Sequence, residues 1–575
     1  MTTNEKRMLR PTWAWLYLRL RQLALTAFLR PLDLVLRFLG PRYKLYLWFF
    51  IVAPPGLMRW LGRLLAERAV YQAAVRVPAY RRFLHERLPA PGALRLEDVP
   101  ETDKDNYVKA FPTEDRCLEG RFLQADTAID ESSGSTGQPY NWVRSMAERK
   151  VSHLSVSHFA RYCLGDEPWI TINAFSMGAW ATGVNMGAAL QRNGVVKSTG
   201  PDMEKIIHTL KFFGPRYRYL ICGYPPFLKH FIDVASAQQF PWEQYRLDAM
   251  VGGEGMSEGL RDYLYRRFES VYSGYGATDL EIGIAGETPL SVAIRRRARE
   301  SEALRQALFG RDSRLPMLFQ YNPLMHHIEV NEGNELTFTI SRLNVLSPRI
   351  RYNIHDEGGV ASFEEIARRC ASAGFRLEDL MSAGSPRPVP MPFLWVYGRS
   401  DSTISVMGAN IYPEDLEQSL YEEPDLAAVT HSFCISLSES ENGSVCPCFS
   451  FEVTAPITQE LQEMFRERIL HRLIAINLDF KEAWNEYPET LVPEIRLYGK
   501  GEGPFQRDSG QIKQARLIKG SSQLTATPAQ RYGGQEKRRL TMSTASAKVL
   551  ALDHGSRPSS DIEKAQGASP GADKG

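Results

Sequence analysis

Between residues 140 and 290, short apolar runs alternate with longer segments of helical periodicity. That alternation predicts α/β layers, a sheet flanked by helices. Two of the runs, Leu220-Ile221-Cys222-Gly223 and Ala249-Met250-Val251-Gly252-Gly253, pass straight from strand into glycine. Folds of this kind bind ligands beyond the carboxyl ends of their strands. The segments following these glycines are therefore the first place to look for a site. His327-Ile328-Glu329-Val330 and Leu336-Thr337-Phe338-Thr339-Ile340 alternate and read as further strands.

Ahead of this body stands Asp130-Glu131-Ser132-Ser133-Gly134-Ser135-Thr136-Gly137-Gln138-Pro139. Glycine permits tight turns and close backbone approach to a ligand. Successive backbone N–H groups in such a turn form an anion-binding concavity, and the hydroxyls of Ser132, Ser133, Ser135 and Thr136 can donate to phosphate oxygens. The run suits a polyphosphate. It is not a Walker A loop, since no Gly-Lys-Ser/Thr follows. Taken alone it also fits an ordinary Ser/Gly surface turn.

Further segments give it context. Pro100-Glu101-Thr102-Asp103-Lys104-Asp105 precedes it, and Gly252-Gly253-Glu254, Tyr275-Gly276-Ala277-Thr278-Asp279, Arg351-Tyr352-Asn353-Ile354-His355-Asp356 and Gly398-Arg399-Ser400-Asp401 follow in order. The ordered set, over roughly residues 90 to 520, resembles the adenylate-forming (AMP-binding) enzymes, and within them the phenylacetate–CoA ligase branch. The resemblance implies a large multi-layer α/β adenylation domain with a small mobile α+β domain behind a hinge at Asp401. It implies that Ser132, Ser133, Gly134, Ser135, Thr136 and Gly137 cradle the ATP phosphates, with Gly253, Glu254, Tyr275, Gly276 and Arg399 around the nucleotide. Tyr275 is expected near the adenine and Asp356 on the ribose hydroxyls. Thr278 is expected to act at the α-phosphate and Asp279 on Mg²⁺, while Phe175, Trp180 and Tyr224, with Met177, line the acid pocket. Aromatic and thioether side chains suit an apolar or aryl acid.

The likeness also implies a catalytic lysine on the small domain, in a Gly-Lys-x-x-Arg pattern. Lys513 keeps the spacing to Arg516 without the adjacent glycine; Lys500 follows Gly499 but lacks the arginine. Lys513 is the expectation and Lys500 its rival. Asp279 stands where glutamate is usual, with Glu281 as a compensating carboxylate, and His355 stands where glycine is common. The implied activity is acyl-adenylate formation followed by transfer to coenzyme A or a carrier-protein phosphopantetheine. Amide synthesis, and a membrane-associated nucleotide-binding pseudoenzyme or adaptor, remain as alternatives.

Residues 1–63 carry eleven Lys/Arg against two Asp/Glu, interleaved with tryptophan, leucine and tyrosine. A basic amphipathic arm over 1–64 suits a membrane interface, or else caps the neighbouring domain. Its strongest apolar run, Leu45–Ala53, ends at Pro54-Pro55 and is too short to cross a bilayer. The large domain is expected over 65–395, with helix up to Arg87, and the small domain over 396–520. Residues 521–575, poor in periodicity, read as disordered. A net charge of +2 across 575 residues implies no nucleic-acid partner. Seven scattered cysteines without metal-ligand spacing point to a reduced, cytoplasmic setting, peripheral to the membrane if the arm binds it.

Overall fold

The computed structural model describes residues 13–518, apart from 89–93, 133–139, 179–180, 254, 257, 311–314, 344, 382–383, 400–403, 412–414, 417–418, 421–422, 440–444 and 507–516. The tail over 521–575 lies outside the described residues. The chain opens with four helices, α1 (Trp13–Leu39), α2 (Tyr43–Val52), α3 (Pro55–Arg76) and α4 (Pro78–Arg87). Prolines at the first turns of α3 and α4 suit positions whose N–H groups need no intrahelical acceptor. Helix α4 ends at Arg87, as periodicity predicts. Residue 64, the boundary expected from composition, lies inside α3. The basic segment therefore runs without a break into the body. Arg68 of α3, fully buried, holds Asp33 of α1 through two hydrogen bonds of 2.6 and 3.1 Å. Leu29, Phe50, Met58 and Leu65 share one buried cluster with Tyr162, Leu324 and Val389.

A hairpin, β1 (Thr127–Ser132) with β2 (Tyr140–Ser145), leads into α5 (Met146–Leu164), whose N-terminus is capped by Ser145. An eleven-stranded sheet follows. Its parallel half holds β3 (Ile170–Asn173), β4 (Val195–Ser198), β5 (Arg218–Gly223), β6 (Arg246–Gly252) and β7 (Ser270–Ala277) in the order β4-β3-β5-β6-β7. Its antiparallel half continues with β8 (Glu281–Gly286), β9 (Met317–Tyr321), β10 (His326–Val330), β11 (Glu335–Ile340), β12 (Tyr352–Ala361) and β13 (Phe393–Arg399), in the order β8-β9-β13-β12-β11-β10. Strands β5 and β6 are buried nearly throughout, which is why their sequences read as continuous apolar runs rather than alternation. The four strands read from sequence fall on β5, β6, β10 and β11.

Beyond β13, the short pair β14 (Ile404–Val406) and β15 (Ala409–Ile411) precedes a separate sheet of β16 (Thr430–Glu439), β17 (Val445–Val453) and β18 (Glu494–Tyr498). Helices Gln459–Ile476 and Leu478–Glu486 accompany it. Among the described residues no single helix is long and apolar enough to cross a membrane; α2 and α3 meet that criterion only as a pair bent by 108°.

Candidate active site

The carboxyl ends of β5, β6 and β7 open onto one cavity of about 550 Å³, and β12 and β13 reach it from the antiparallel half. Ser132, Gly253, Tyr275, Gly276, Thr278, Asp279 and Asp356 all line it, as do Phe175 and Tyr224. Segments more than 200 residues apart in sequence thus meet where strand order and crossover place a ligand.

Each is held for a local reason. Ser132 ends β1 opposite Tyr140 of β2. Its hydroxyl accepts from the Trp142 indole Nε1 at 3.2 Å. Ser133, Gly134, Ser135, Thr136 and Gly137 lie outside the described residues, between these two paired strand ends. At Gly253 the backbone turns through φ +84°, and a Cβ would sit 2.6 Å from Cε1 of Tyr224. Both the conformation and the close ring demand glycine there. Glu254 lies outside the described residues.

Tyr275 leaves β7 with its ring against Phe319 (centroids 5.7 Å apart) and Phe338 (6.1 Å), and its hydroxyl donates to Oδ2 of Asp356. The expected adenine neighbour is therefore also the group that aims the expected ribose carboxylate. Asp356 is buried in β12 and pairs in register with Arg399, the last residue of β13. His355 beside it adopts φ +63°, the left-handed region in which glycine is at ease and most side chains are strained. Its N–H donates to Oδ1 of Asn353 at 2.7 Å, and its ring lies 3.3 Å from Glu335. The departure from glycine keeps the backbone shape that glycine favours.

Behind the Thr278-Asp279 turn stand two buried arginines that sequence reasoning missed. Arg144 donates to the carbonyl of Thr278 at 2.5 Å, and Arg349 to the carbonyl of Asp279 at 2.8 Å. Burial, reinforced by Arg144, lowers the Arg349 guanidinium to about 10. Arg144 also pairs with buried Asp130 at 3.0 Å, and Arg149 binds the other Asp130 oxygen. Their only sequence signal is closeness to motifs: Arg349 lies two residues before Arg351-Tyr352, and Arg144 five residues after Pro139. The Asp279 carboxylate accepts from the Tyr352 hydroxyl at 3.0 Å and faces the cavity. No cluster of three or more metal-ligating side chains occurs among the described residues.

Glu281 does not serve as the compensating carboxylate. It is buried between His326 Nε2 (2.5 Å), Arg342 Nη2 (2.5 Å) and the Ser152 hydroxyl. Although burial opposes its charge, Arg342 and His326 hold it well below the usual carboxylate range. It is absent from the lining of the main cavity.

Phe175 and Tyr224 meet edge to face, ring centroids 5.3 Å apart at 88°, in the wall of the cavity. Met177, expected beside them, is 39% exposed and does not line it. Trp180 lies outside the described residues. Lys104, in the segment leading to the Ser/Gly run, does line the cavity, a cation that the motif reading left without a role. From beyond β13, Ser405, Gly408 and Asn410 close one side, and Ser176 donates to Oε2 of Glu486 at 2.8 Å. Lys500 is exposed and away from the cavity, whereas Lys513 and Asp401 lie outside the described residues.

No protein-family model matches the sequence, and no curated protein matches it. Solved structures do. A 2-hydroxyisobutyryl-CoA ligase, in complex with 2-HIB-AMP and CoA in the thioesterification state, superposes with a TM-score of 0.57 at 14% identity. The match covers 82% of this chain and 91% of that one. The chain has the adenylate-forming fold. Looser likenesses are a double mutant of o-succinylbenzoate CoA synthetase (MenE) from Bacillus subtilis and the amide bond synthetase McbA from Marinactinospora thermotolerans. The first has TM-score 0.40 at 15% identity, covering 68% of this chain and 69% of that one. The second has 0.37 at 15% identity, covering 76% and 79%.

Proposed function

We propose that this chain is an ATP-dependent, AMP-forming acid–thiol ligase, similar to the phenylacetate–CoA ligase branch. It activates an apolar carboxylic acid as an acyl-adenylate, then passes the acyl group to coenzyme A or a phosphopantetheine thiol. The observation that carries this reading is the convergence of Ser132, Tyr275, Thr278, Asp279 and Asp356 with Phe175 and Tyr224 on one cavity. The complex of the 2-hydroxyisobutyryl-CoA ligase with an acyl-adenylate and CoA supports the same two-step chemistry.

In the first step a carboxylate oxygen of the acid attacks the α-phosphorus of ATP, and the bond to the bridging oxygen of pyrophosphate breaks. Negative charge spreads over the phosphoryl oxygens, so catalysis is positioning plus electrostatic stabilisation. Asp356 would accept from the ribose hydroxyls, with Tyr275 holding its second oxygen. Asp279 would share Mg²⁺ with the phosphates, and Lys104 offers a positive charge at the same cavity. Mg²⁺, when bound, neutralises the departing pyrophosphate. Lys513 is proposed as the mobile lysine of adenylation, carried in by rotation about Asp401. In the second step the thiolate attacks the acyl carbon and AMP leaves with the bonding pair.

The outer surface of the arm exposes Trp13, Leu20, Phe28, Phe38 and Trp48 among Arg19, Arg30, Arg37 and Arg42. Apolar side chains interleaved with arginines support a peripheral seat on an anionic membrane face. Acid-dependent exchange of radiolabelled pyrophosphate into ATP tests the ligase reading across an acid panel, with AMP release followed in the presence and absence of coenzyme A. Exchange abolished in Asp356→Ala and suppressed in Lys513→Ala is the expected result. A protein that binds ATP yet exchanges no pyrophosphate with any acid would instead be the adaptor. Exchange combined with transfer to amines but not thiols would mark an amide synthetase.

A further inference from the structure

The cavity does not stop at the nucleotide motifs. It continues past Met317 and Phe159 to helix α2 of the N-terminal arm, where Tyr46, Leu47 and Phe50 form its far wall. We propose that this extension is an acyl-tail compartment, and that the acid is a long-chain aliphatic acid whose tail ends against α2. The inference rests on the ligase reading and names its substrate class.

Three features carry it. The first is length. Ser155, Phe159 and Tyr162 line the extension from one face of α5, a span of about 10 Å at ~1.5 Å per residue. Met317, Phe319, Gln320 and Tyr321 of β9 also line the cavity, and Met317 to Tyr321 spans about 13 Å at ~3.3 Å per residue. A single aryl ring fills only part of such a run.

The second is the state of the polar groups along it. Asn322 donates to the Tyr46 hydroxyl at 2.8 Å, and burial pushes that phenol up to about 12. Nε2 of His158 lies 2.7 Å from the Gly40 carbonyl. The Tyr162 hydroxyl donates to the Arg387 carbonyl at 3.0 Å, and Gln320 donates to the carbonyls of Val389 and Met391 at 3.0 Å each. Each of these groups makes at least one hydrogen bond within the protein, so the part of the wall they form offers the lumen mainly ring and methylene surface. Such a lining rewards burial of methylenes at ~0.8 kcal/mol each and leaves a polar or charged tail uncompensated.

The third is the origin of the wall. α2 is apolar on both faces: Phe50 is buried inward while Leu45, Trp48 and Val52 are exposed outward. One helix thus separates the tail compartment from the apolar outer surface of the arm.

The test uses the full chain and its Leu47→Trp variant, with Leu47→Phe as a milder filling change, read the same way, should the first fold poorly, each checked by thermal melting. Pyrophosphate exchange is measured with butyrate, phenylacetate and palmitate, and binding of a dansyl-labelled long-chain acid is followed by fluorescence. Palmitate should give the highest kcat/KM in the wild type. Leu47→Trp should lower the palmitate-to-butyrate ratio of kcat/KM by ~10-fold or more, as overpacking of the wall would. Preference for phenylacetate or butyrate, or an unchanged ratio in Leu47→Trp, would overturn the compartment and leave the ligase reading standing. If no acid supports exchange but the dansyl acid binds the wild type and not Leu47→Trp, the compartment stands and the ligase reading falls.

Discussion

Tyr275→Phe is the sharpest perturbation of the proposed nucleotide site, because it deletes one oxygen and keeps the ring. The ring remains against Phe319 and Phe338. What is lost is the hydroxyl donated to Asp356. A hydrogen bond to a charged acceptor is worth ~1.5–3 kcal/mol. Water can enter the cavity beside the freed oxygen, so the lower end of that range applies, and ~1.5 kcal/mol corresponds to roughly a tenfold change. The KM for ATP in pyrophosphate exchange should therefore rise about tenfold, with the KM for the acid unchanged. AMP affinity by calorimetry should fall by the same factor. Asp356→Ala should cost more than Tyr275→Phe, and the double variant should cost less than the two effects combined, because the tyrosine acts through the carboxylate. Independent, additive losses would refute that coupling. Undiminished AMP affinity in Asp356→Ala would remove the ribose assignment altogether.

Glu281→Ala should act on stability instead: it strands buried His326 and partly buried Arg342, a cost of ~3 kcal/mol in chemical denaturation, with the Mg²⁺ dependence of exchange unaltered. Because the folded-state pKa of Glu281 is depressed, its contribution is full above the ordinary carboxylate pKa and is lost as pH falls; the variant should flatten that acid limb. His327, lowered to about 4 by burial and by Arg63, binds its proton more readily in the unfolded chain. Stability should therefore fall between about pH 6.5 and pH 4, by at most ~3 kcal/mol, and His327→Gln should remove that slope in melts across pH. At His355, with φ +63°, Val should destabilise by more than ~1 kcal/mol, whereas Gly should stay within ~1 kcal/mol of wild type by the same melts.

The sheet and much of the site are legible in the sequence because they rest on local signals. The strand-to-glycine passages at Gly223 and Gly252, the Tyr275-Gly276 pair and the Asp356 segment each carry their turn chemistry in a few adjacent residues. What is not legible depends on contacts without local periodicity. Arg144 and Arg349 gain their places from a turn more than 60 residues away, at Thr278 and Asp279. Glu281 reads as a spare ligand beside Asp279, yet Asp279 sits in the turn before β8 while Glu281 opens the strand and is held by Arg342 and His326. The wall supplied by α2 is invisible for the same reason, since the Tyr46–Asn322 bond spans 276 positions. Even the strain at His355 shows only in the backbone.

The ladder between β12 and β13 sets Asp356 directly across from Arg399. A swivel of the following domain at the proposed hinge, Asp401, would thus start two residues past a strand position paired with the carboxylate proposed for the ribose. On the proposed reading, the trailing lobe would swing and exchange one half-reaction for the other without tugging the nucleotide out of place.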